Sequence, residues 1–144
     1  MTIHQLSIFL ENKCGKLSKV LDILSEAHIG IIAAAVADTS EYGILRMIVS
    51  DPDKAFALLK ENNVTVSKTE VLGIVTDGCA GSFARALENF TKAGISIEYM
   101  YCFSVNGKSI LILRTNKSVE AYEVIRKYRL DYISSSDLEH LMTC

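Results

Sequence analysis

Apolar and polar positions along this chain change their period in a fixed order, and the order occurs twice. From Ile3 to Leu10 the apolar residues Leu6, Ile8 and Leu10 alternate with their neighbours, the two-residue period of a strand. Beyond Asn12-Lys13-Cys14-Gly15, the residues Leu17, Val20, Leu21 and Leu24 recur at i, i+3, i+4 and i+7, which is one stripe of a helix. The β-branched, apolar stretch Ile31 to Ala37, a turn over Ser40 to Gly43 and the run Ile44 to Val49 read as two strands. Asp51-Pro52-Asp53 then supplies an N-cap, a proline at the first helical position and an acid in the first turn. The helix it opens carries Ala55, Leu58 and Leu59, and a last strand is expected near Val64 to Thr69.

An offset of 66 residues superposes this series on the remainder of the chain without a gap: Leu6 on Leu72, Ile8 on Ile74, Gly15 on Gly81, Leu21 on Leu87, Ala27 on Ala93, Ile29 on Ile95 and Ala55 on Ala121. Conservative pairs fall on the same diagonal, among them Lys19 with Arg85, Asp22 with Glu88 and Lys60 with Arg126. The second copy repeats the helical stripe with Phe83, Ala86, Leu87 and Phe90. It places strands at Ile95 to Phe103, Ser109 to Arg114 and Leu130 to Ser134, and a helix beginning near Asn116. Asn106-Gly107 is the two-residue type I′ hairpin signal between two of those strands.

Strand, helix, strand, strand, helix, strand is the order of the ferredoxin-like βαββαβ unit. The expected fold class is therefore α+β: two tandem modules, residues 1–69 and 70–144, each an antiparallel four-stranded sheet with both helices on one face. A unit of this size is marginal alone and leaves an open sheet edge. At alternate positions of the second strand, Ala33, Ala35 and Ala37 correspond to Tyr99, Tyr101 and Phe103. Parity does not say which face of that strand looks at the helices.

Composition narrows the function. Of the 144 residues, 49 % are hydrophobic and 22 % charged, and the formal charge is −2, so no basic surplus exists to release counterions from a nucleic acid. The third strands carry no aromatic residue on which bases could stack, and no nucleic-acid partner is expected. The longest apolar run, Ile29 to Ala37, falls short of a membrane span, and no basic leader precedes Ile3, so a cytoplasmic protein without membrane contact is expected. Cys14, Cys79, Cys102 and Cys144 show no C-x-x-C spacing, which points to reduced thiols and argues against an iron–sulfur or metal centre. His4, His28 and His140 have no metal spacing, and no carboxylate pair is placed for acid–base work. No cofactor and no catalysis are expected. A redox role for Cys14 or Cys79 requires a depressed thiol pKa and a partner base, and no such base is identifiable.

The candidate chemistry lies in the loops before the first helix of each copy. A glycine there lets the backbone turn tightly and approach a ligand, while the helix N-terminus presents N–H groups that suit a carboxylate. The alternative is that the glycine only makes the turn. Asn12-Lys13-Cys14-Gly15-Lys16-Leu17 with Ala27-His28-Ile29-Gly30-Ile31, and Ala80-Gly81-Ser82-Phe83 with Ala93-Gly94-Ile95-Ser96-Ile97, resemble the paired motifs of the ACT domain family of small-molecule sensor modules. Gly78 stands where the first copy has Asn12. Cys14 and Ala80 stand where the family often has proline.

The resemblance implies a regulatory protein that binds a small molecule, most plausibly an amino acid, and modulates a partner enzyme of amino-acid metabolism, with a homodimer as its expected assembly. It also implies that second strands pair and that ligand sits between such an edge and a glycine loop. The expected binding residues are Asn12, Lys13, Cys14, Gly15, Lys16 and Leu17 in the first copy and Cys79, Ala80, Gly81, Ser82 and Phe83 in the second. Tyr99 and Tyr101 are expected to line a pocket, ordinary packing being their other reading. The 144 residues contain no recognisable catalytic or DNA-binding domain, so any output is expected to pass through another protein or through oligomerisation. The rival reading is a structural subunit that associates with a metabolic enzyme and binds no ligand.

Overall fold

The computed structural model describes residues 2–11, 13–38 and 41–140. Asn12, Ser40 and Cys144 lie outside the described residues. In chain order the elements are β1 (Ile3–Glu11), α1 (Lys16–Glu26), β2 (Ile31–Asp38), β3 (Tyr42–Val49), α2 (Pro52–Glu61), β4 (Val66–Thr76), α3 (Ser82–Lys92), β5 (Ile97–Val105), β6 (Lys108–Thr115), α4 (Ser118–Lys127), β7 (Tyr132–Ile133) and α5 (Ser135–Glu139). The chain divides into two compact units, one built on His4–Thr69 with the segment from Ser136, the other on Glu70–Ser135 with the residues up to Ile3.

In the first unit the strand order is β2-β3-β1-β4, and β3 pairs antiparallel with both β1 and β2. Leu6 and Ile8 of β1, Leu45, Met47 and Val49 of β3, Val20 and Leu24 of α1 and Ala55 and Leu59 of α2 form one buried cluster, so both helices cover the same sheet face. Asp51 caps α2 by accepting the Lys54 N–H at 3.1 Å. In the second unit the order is β5-β6-β4-β7, antiparallel throughout, and α3 and α4 cover one face through Ala86, Phe90, Ala121, Val124 and Ile125. Counted in its own chain order, each unit arranges its strands 4-1-3-2, as a ferredoxin-like module does. Asn106 and Gly107 both have positive φ, 51° and 76°, as the type I′ turn between β5 and β6 requires.

Three details depart from the sequence reading. The last strand of the first copy and the first strand of the second are one uninterrupted strand, β4, with no turn between them. The closing strand of the second copy is only Tyr132–Ile133, paired to Gly73 and Ile74. The short helix α5 follows it, and β5 starts at Ile97 rather than Ile95 because Ile95 N–H closes the end of α3 on the Phe90 carbonyl at 3.0 Å. Helix α4 begins at Ser118, close to the expected Asn116; its N-cap is Lys117, which makes no side-chain cap, and the Asn116 side chain accepts the Ser96 N–H.

Register settles the face of the second strands. Ala37 pairs Ile44 and Ala35 pairs Arg46, neither partner belonging to the helix-side cluster, whereas Val36 pairs Leu45, which does. Likewise Tyr101 pairs Ile112 and Phe103 pairs Ile110, while Cys102 pairs the helix-side Leu111. Directly paired residues share a face, so the small stripe and the aromatic stripe both lie on the sheet face away from the helices.

Gly73 marks a close approach on that face of the second unit. A Cβ built there overlaps the Ile133 Cγ2 methyl and stands 2.9 Å from Ile3 Cδ1. The Ile3 tip can rotate, but the β-branched Ile133 cannot without leaving its rotamer. Gly73→Ala is expected to cost roughly 1–3 kcal/mol by overpacking, read as a lowered urea midpoint, with part of the loss recovered by Ile133→Ala in the same chain. An unchanged midpoint would show that this approach is looser than described.

Candidate functional site

Gly15 and Gly81 are the N-caps of α1 and α3, in the left-handed region at φ 87° and 84°. Neither helix start is capped by a side chain of its N-cap residue; the first helical N–H of each returns to the loop instead, Lys16 to the Lys13 carbonyl at 3.3 Å and Ser82 to the Cys79 carbonyl at 3.0 Å. Beside each loop, the end of the first strand, the first turns of the helix and the entry to the last strand enclose a groove. The first-copy groove has a volume of about 250 Å³ and is lined by Phe9, Leu10, Glu11, Lys16, Lys19 and Val20 together with Tyr42 and the segment Asn62 to Thr65. The second-copy groove, about 260 Å³ and more open, is lined by Ile74 to Asp77, Ser82, Arg85, Ala86, Asn89, Leu130 and Asp131. Most of these residues occupy equivalent positions, so the repeat carries a repeated cavity.

The same local geometry builds the far wall in each. Just past the C-caps of α2 and α4 stand Asn63 and Arg129, both left-handed at φ 60° and 51°, and the following residue returns its N–H to the helix: Val64 to the Leu59 carbonyl, Leu130 to the Ile125 carbonyl, each at 3.0 Å. This αL closure turns the chain from the helix into the strand beside the groove.

The charges differ. In the first copy Lys16 and Lys19 stand one turn apart on α1 and line the groove. Among the described residues neither lysine forms an ion pair. Glu11 pairs with Lys13 at 2.9 Å, and that hydrogen bond, aided by the fields of Lys13 and Lys16, holds its carboxyl below the usual range. In the second copy the equivalent of Glu11 is Asp77. Its shorter carboxylate turns back onto the loop, accepting the Ser82 hydroxyl and the Cys79 N–H, the latter at 2.9 Å. Arg85 Nη2 donates to Ser82 Oγ at 3.4 Å.

Asp77 is held below the ordinary aspartate range, first by the Ser82 hydrogen bond and next by the Cys79 N–H. A carboxyl whose folded pKa is depressed stabilises the fold above its unfolded value, about 3.9, and loses that contribution as pH falls through the folded value. Asp77→Asn is therefore expected to lower the melting temperature at pH 6 and to converge on the parent at acid pH, once the Asp77 carboxyl is protonated in the folded protein. Parallel curves from pH 6 to pH 2 would mean that the charge contributes nothing.

The expected site residues fall unevenly on this geometry. Lys16 and Ser82 line the grooves. Lys13, Cys14, Gly15 and Leu17, and Cys79, Ala80, Gly81 and Phe83, form the loops and helix starts beside them without lining them. Tyr99 and Tyr101 lie on β5, an edge strand separated from β4 and its loop by β6, so the second unit does not bring its aromatic stripe to its own glycine loop. Lys19, Tyr42 and the segment Asn62 to Thr65 were not anticipated. The aligned pair Lys19 and Arg85 was the visible signal, since a helical cation held in both copies one turn beyond the loop shares a face with the loop. Cys14, Cys79 and Cys102 are free and exposed. Among the described residues no group of His, Cys, Asp and Glu is placed to hold a metal ion, and no helix is long and apolar enough to cross a membrane.

Comparison with known proteins bears on this arrangement. A family model described as an ACT domain pair matches residues 1–142. Among solved structures, a protein of Bacteroides thetaiotaomicron is 40 % identical, with 96 % of each chain covered and a TM-score of 0.92. The regulatory subunit of aspartate kinase from Thermus thermophilus, in its ligand-free form, shares the fold at 15 % identity and a TM-score of 0.62, over 86 % of this chain and 91 % of that one. The aspartate kinase of Clostridium acetobutylicum does so at 13 % identity and a TM-score of 0.56, over 87 % of this chain and 32 % of the enzyme. A search of curated proteins returns no match.

Proposed function

The chain belongs to the ACT domain family, as a pair of ACT domains, and on that premise we propose that it is a regulatory protein that binds an amino acid and passes the binding event to a partner protein of amino-acid metabolism. It binds its ligand and does not convert it. The single observation that carries this reading is the first-copy groove. Two lysines on one helical face, at the N-terminal end of α1, form an anion-accepting wall, and Asn62 and Asn63 line the same groove. The size fits a small metabolite better than a drug-sized ligand, which takes roughly 300–1,000 Å³.

The likeness to regulatory subunits of aspartate kinase supports the fold of a sensor module, and the family supports the role. Regulation follows from linkage: a ligand that prefers one arrangement of the protein shifts the population toward it by its differential affinity. The chain acts as a homodimer in this reading, and its partner is an enzyme that the bound and unbound forms engage unequally.

The test is a thermal-shift screen of the twenty amino acids followed by calorimetry. Binding of the order of 100-fold above Kd adds about 2.7 kcal/mol, which raises the midpoint by several degrees. One or a few amino acids are expected to do this and the remainder not. No shift from any of them at millimolar concentration would sink the amino-acid reading.

A further inference from the structure

The two grooves occupy equivalent positions, yet in the second a carboxylate of the chain itself already engages donors of the loop. A Cβ built on Gly15 meets nothing within 4 Å, so the approach to the first loop is clear. A Cβ built on Gly81 meets Arg85 Nη1 at 2.9 Å, so the guanidinium lies across the second loop. Beneath it, Asp77 accepts the Cys79 N–H and the Ser82 hydroxyl, and Ser82 in turn receives Arg85. Two donors that would meet an incoming carboxylate, the Cys79 N–H and the Ser82 hydroxyl, are thus engaged by Asp77, and Arg85 is held on Ser82. In the first copy, Glu11 in place of Asp77 is one methylene longer and pairs with Lys13, while Lys16 and Lys19 replace Ser82 and Arg85. Glu11 lines that groove and feels the field of Lys16, but among the described residues no carboxylate forms an ion pair with Lys16 or Lys19.

We propose that the two copies have divided into one ligand-binding site and one self-occupied site: the first-copy groove takes a single carboxylate-bearing ligand, and Asp77 stands in for that carboxylate permanently in the second. This rests on the reading of the first groove as a ligand site, and its consequence is one ligand per chain despite two modules. A second consequence is chemical. Removing the Asp77 carboxylate leaves the Cys79 N–H, the Ser82 hydroxyl and Arg85 available, so a site closed by one residue is opened by one substitution.

The experiment titrates sodium acetate, as the simplest carboxylate probe, into the full-length ¹⁵N-labelled chain, with sodium chloride at matched ionic strength as the control. In the parent protein, saturable amide shifts are expected at Lys16 to Val20 and at Asn63 to Thr65, and none beyond the chloride control at Gly78 to Ala86. In Asp77→Ser, saturable shifts are expected at Cys79 to Arg85 as well. The converse double substitution Glu11→Asp with Lys16→Ser imports the second-copy residues into the first, and should weaken the first-copy response about tenfold, the scale of one charge-assisted hydrogen bond. It also keeps the test alive should Asp77→Ser unfold the second unit. A saturable response of both copies in the parent overturns the proposal and leaves the ligand-binding reading standing. A response of neither copy overturns that reading itself. A second-copy loop that stays silent in a folded Asp77→Ser protein overturns the stand-in role of Asp77.

Discussion

Phe90→Ala is expected to unfold the second unit at or near physiological temperature. Phe90 is the bulkiest of the fully buried side chains, and it stands where Leu24 stands in the first unit. It belongs to one buried cluster with Leu72 and Ile74 of β4, Leu111 and Leu113 of β6 and Val124 and Ile125 of α4. Both helices and the two central strands therefore contribute to the core that holds it. Truncating a buried Phe to Ala costs about 3–5 kcal/mol from lost transfer and the cavity left behind. A unit of this size holds only a few kcal/mol in total, and each kcal/mol moves the midpoint of such a domain by roughly 4–8 °C. A drop of about 15 °C or more is expected in the transition reported by second-unit probes such as Tyr122 and Tyr128. Phe90→Leu, which gives the second unit the residue of the first, should recover most of the loss. A fall below about 1 kcal/mol would mean that the site collapses around the vacancy, and that the second core does not depend on its largest member.

The same comparison of copies explains what the sequence could and could not disclose. Strand and helix periods were legible because each element buries one face: Leu6 and Ile8 alternate, and Val20 and Leu24 lie one turn apart, as a single core demands. The hairpin at Asn106-Gly107 was legible because its backbone angles exclude most other residues. The merger of two strands into β4 was not read, although nothing from Val64 to Leu72 is a glycine, proline or asparagine that could break the chain. An alternating pattern marks a strand but carries no sign of where one module's strand ends. Strand β7 starts at Tyr132, the position equivalent to Val66 at the start of β4, so its two-residue length is set at its far end, where α5 begins at Ser135.

The candidate site was legible by halves. The loop glycines announced themselves by repetition, whereas the groove is assembled from a strand end, a helix face and a helix-to-strand turn about 50 residues later, which only the fold brings together. The difference between the copies was written in plain view as Glu11 against Asp77 and Lys16 against Ser82. Its meaning depends on one methylene of reach and on a backbone N–H, and neither has a sequence signature. The orientation of the alanine and aromatic stripes likewise needed the register of β2 on β3 and of β5 on β6.

Reversing the two groove cations separates binding from stability in the first unit. Lys16→Glu with Lys19→Glu places two carboxylates in the first turn of α1, where the helix macrodipole favours negative charge. Both lysines are exposed and neither forms an ion pair among the described residues, so the fold is expected to be unharmed or slightly stabilised. Binding should respond in the opposite direction. Each charge-assisted hydrogen bond to a ligand carboxylate is worth about 1.5–3 kcal/mol, and the loss of two corresponds to a fall in affinity on the order of 10²- to 10⁴-fold, with repulsion added. Calorimetry with the amino acid that emerges from the thermal-shift screen, alongside a melt without ligand, reads both quantities on one sample. An intact melt with binding abolished assigns the carboxylate to this wall. An intact melt with affinity unchanged removes the groove as the ligand site, because no arrangement that seats an anion against Lys16 and Lys19 survives their conversion to two anions.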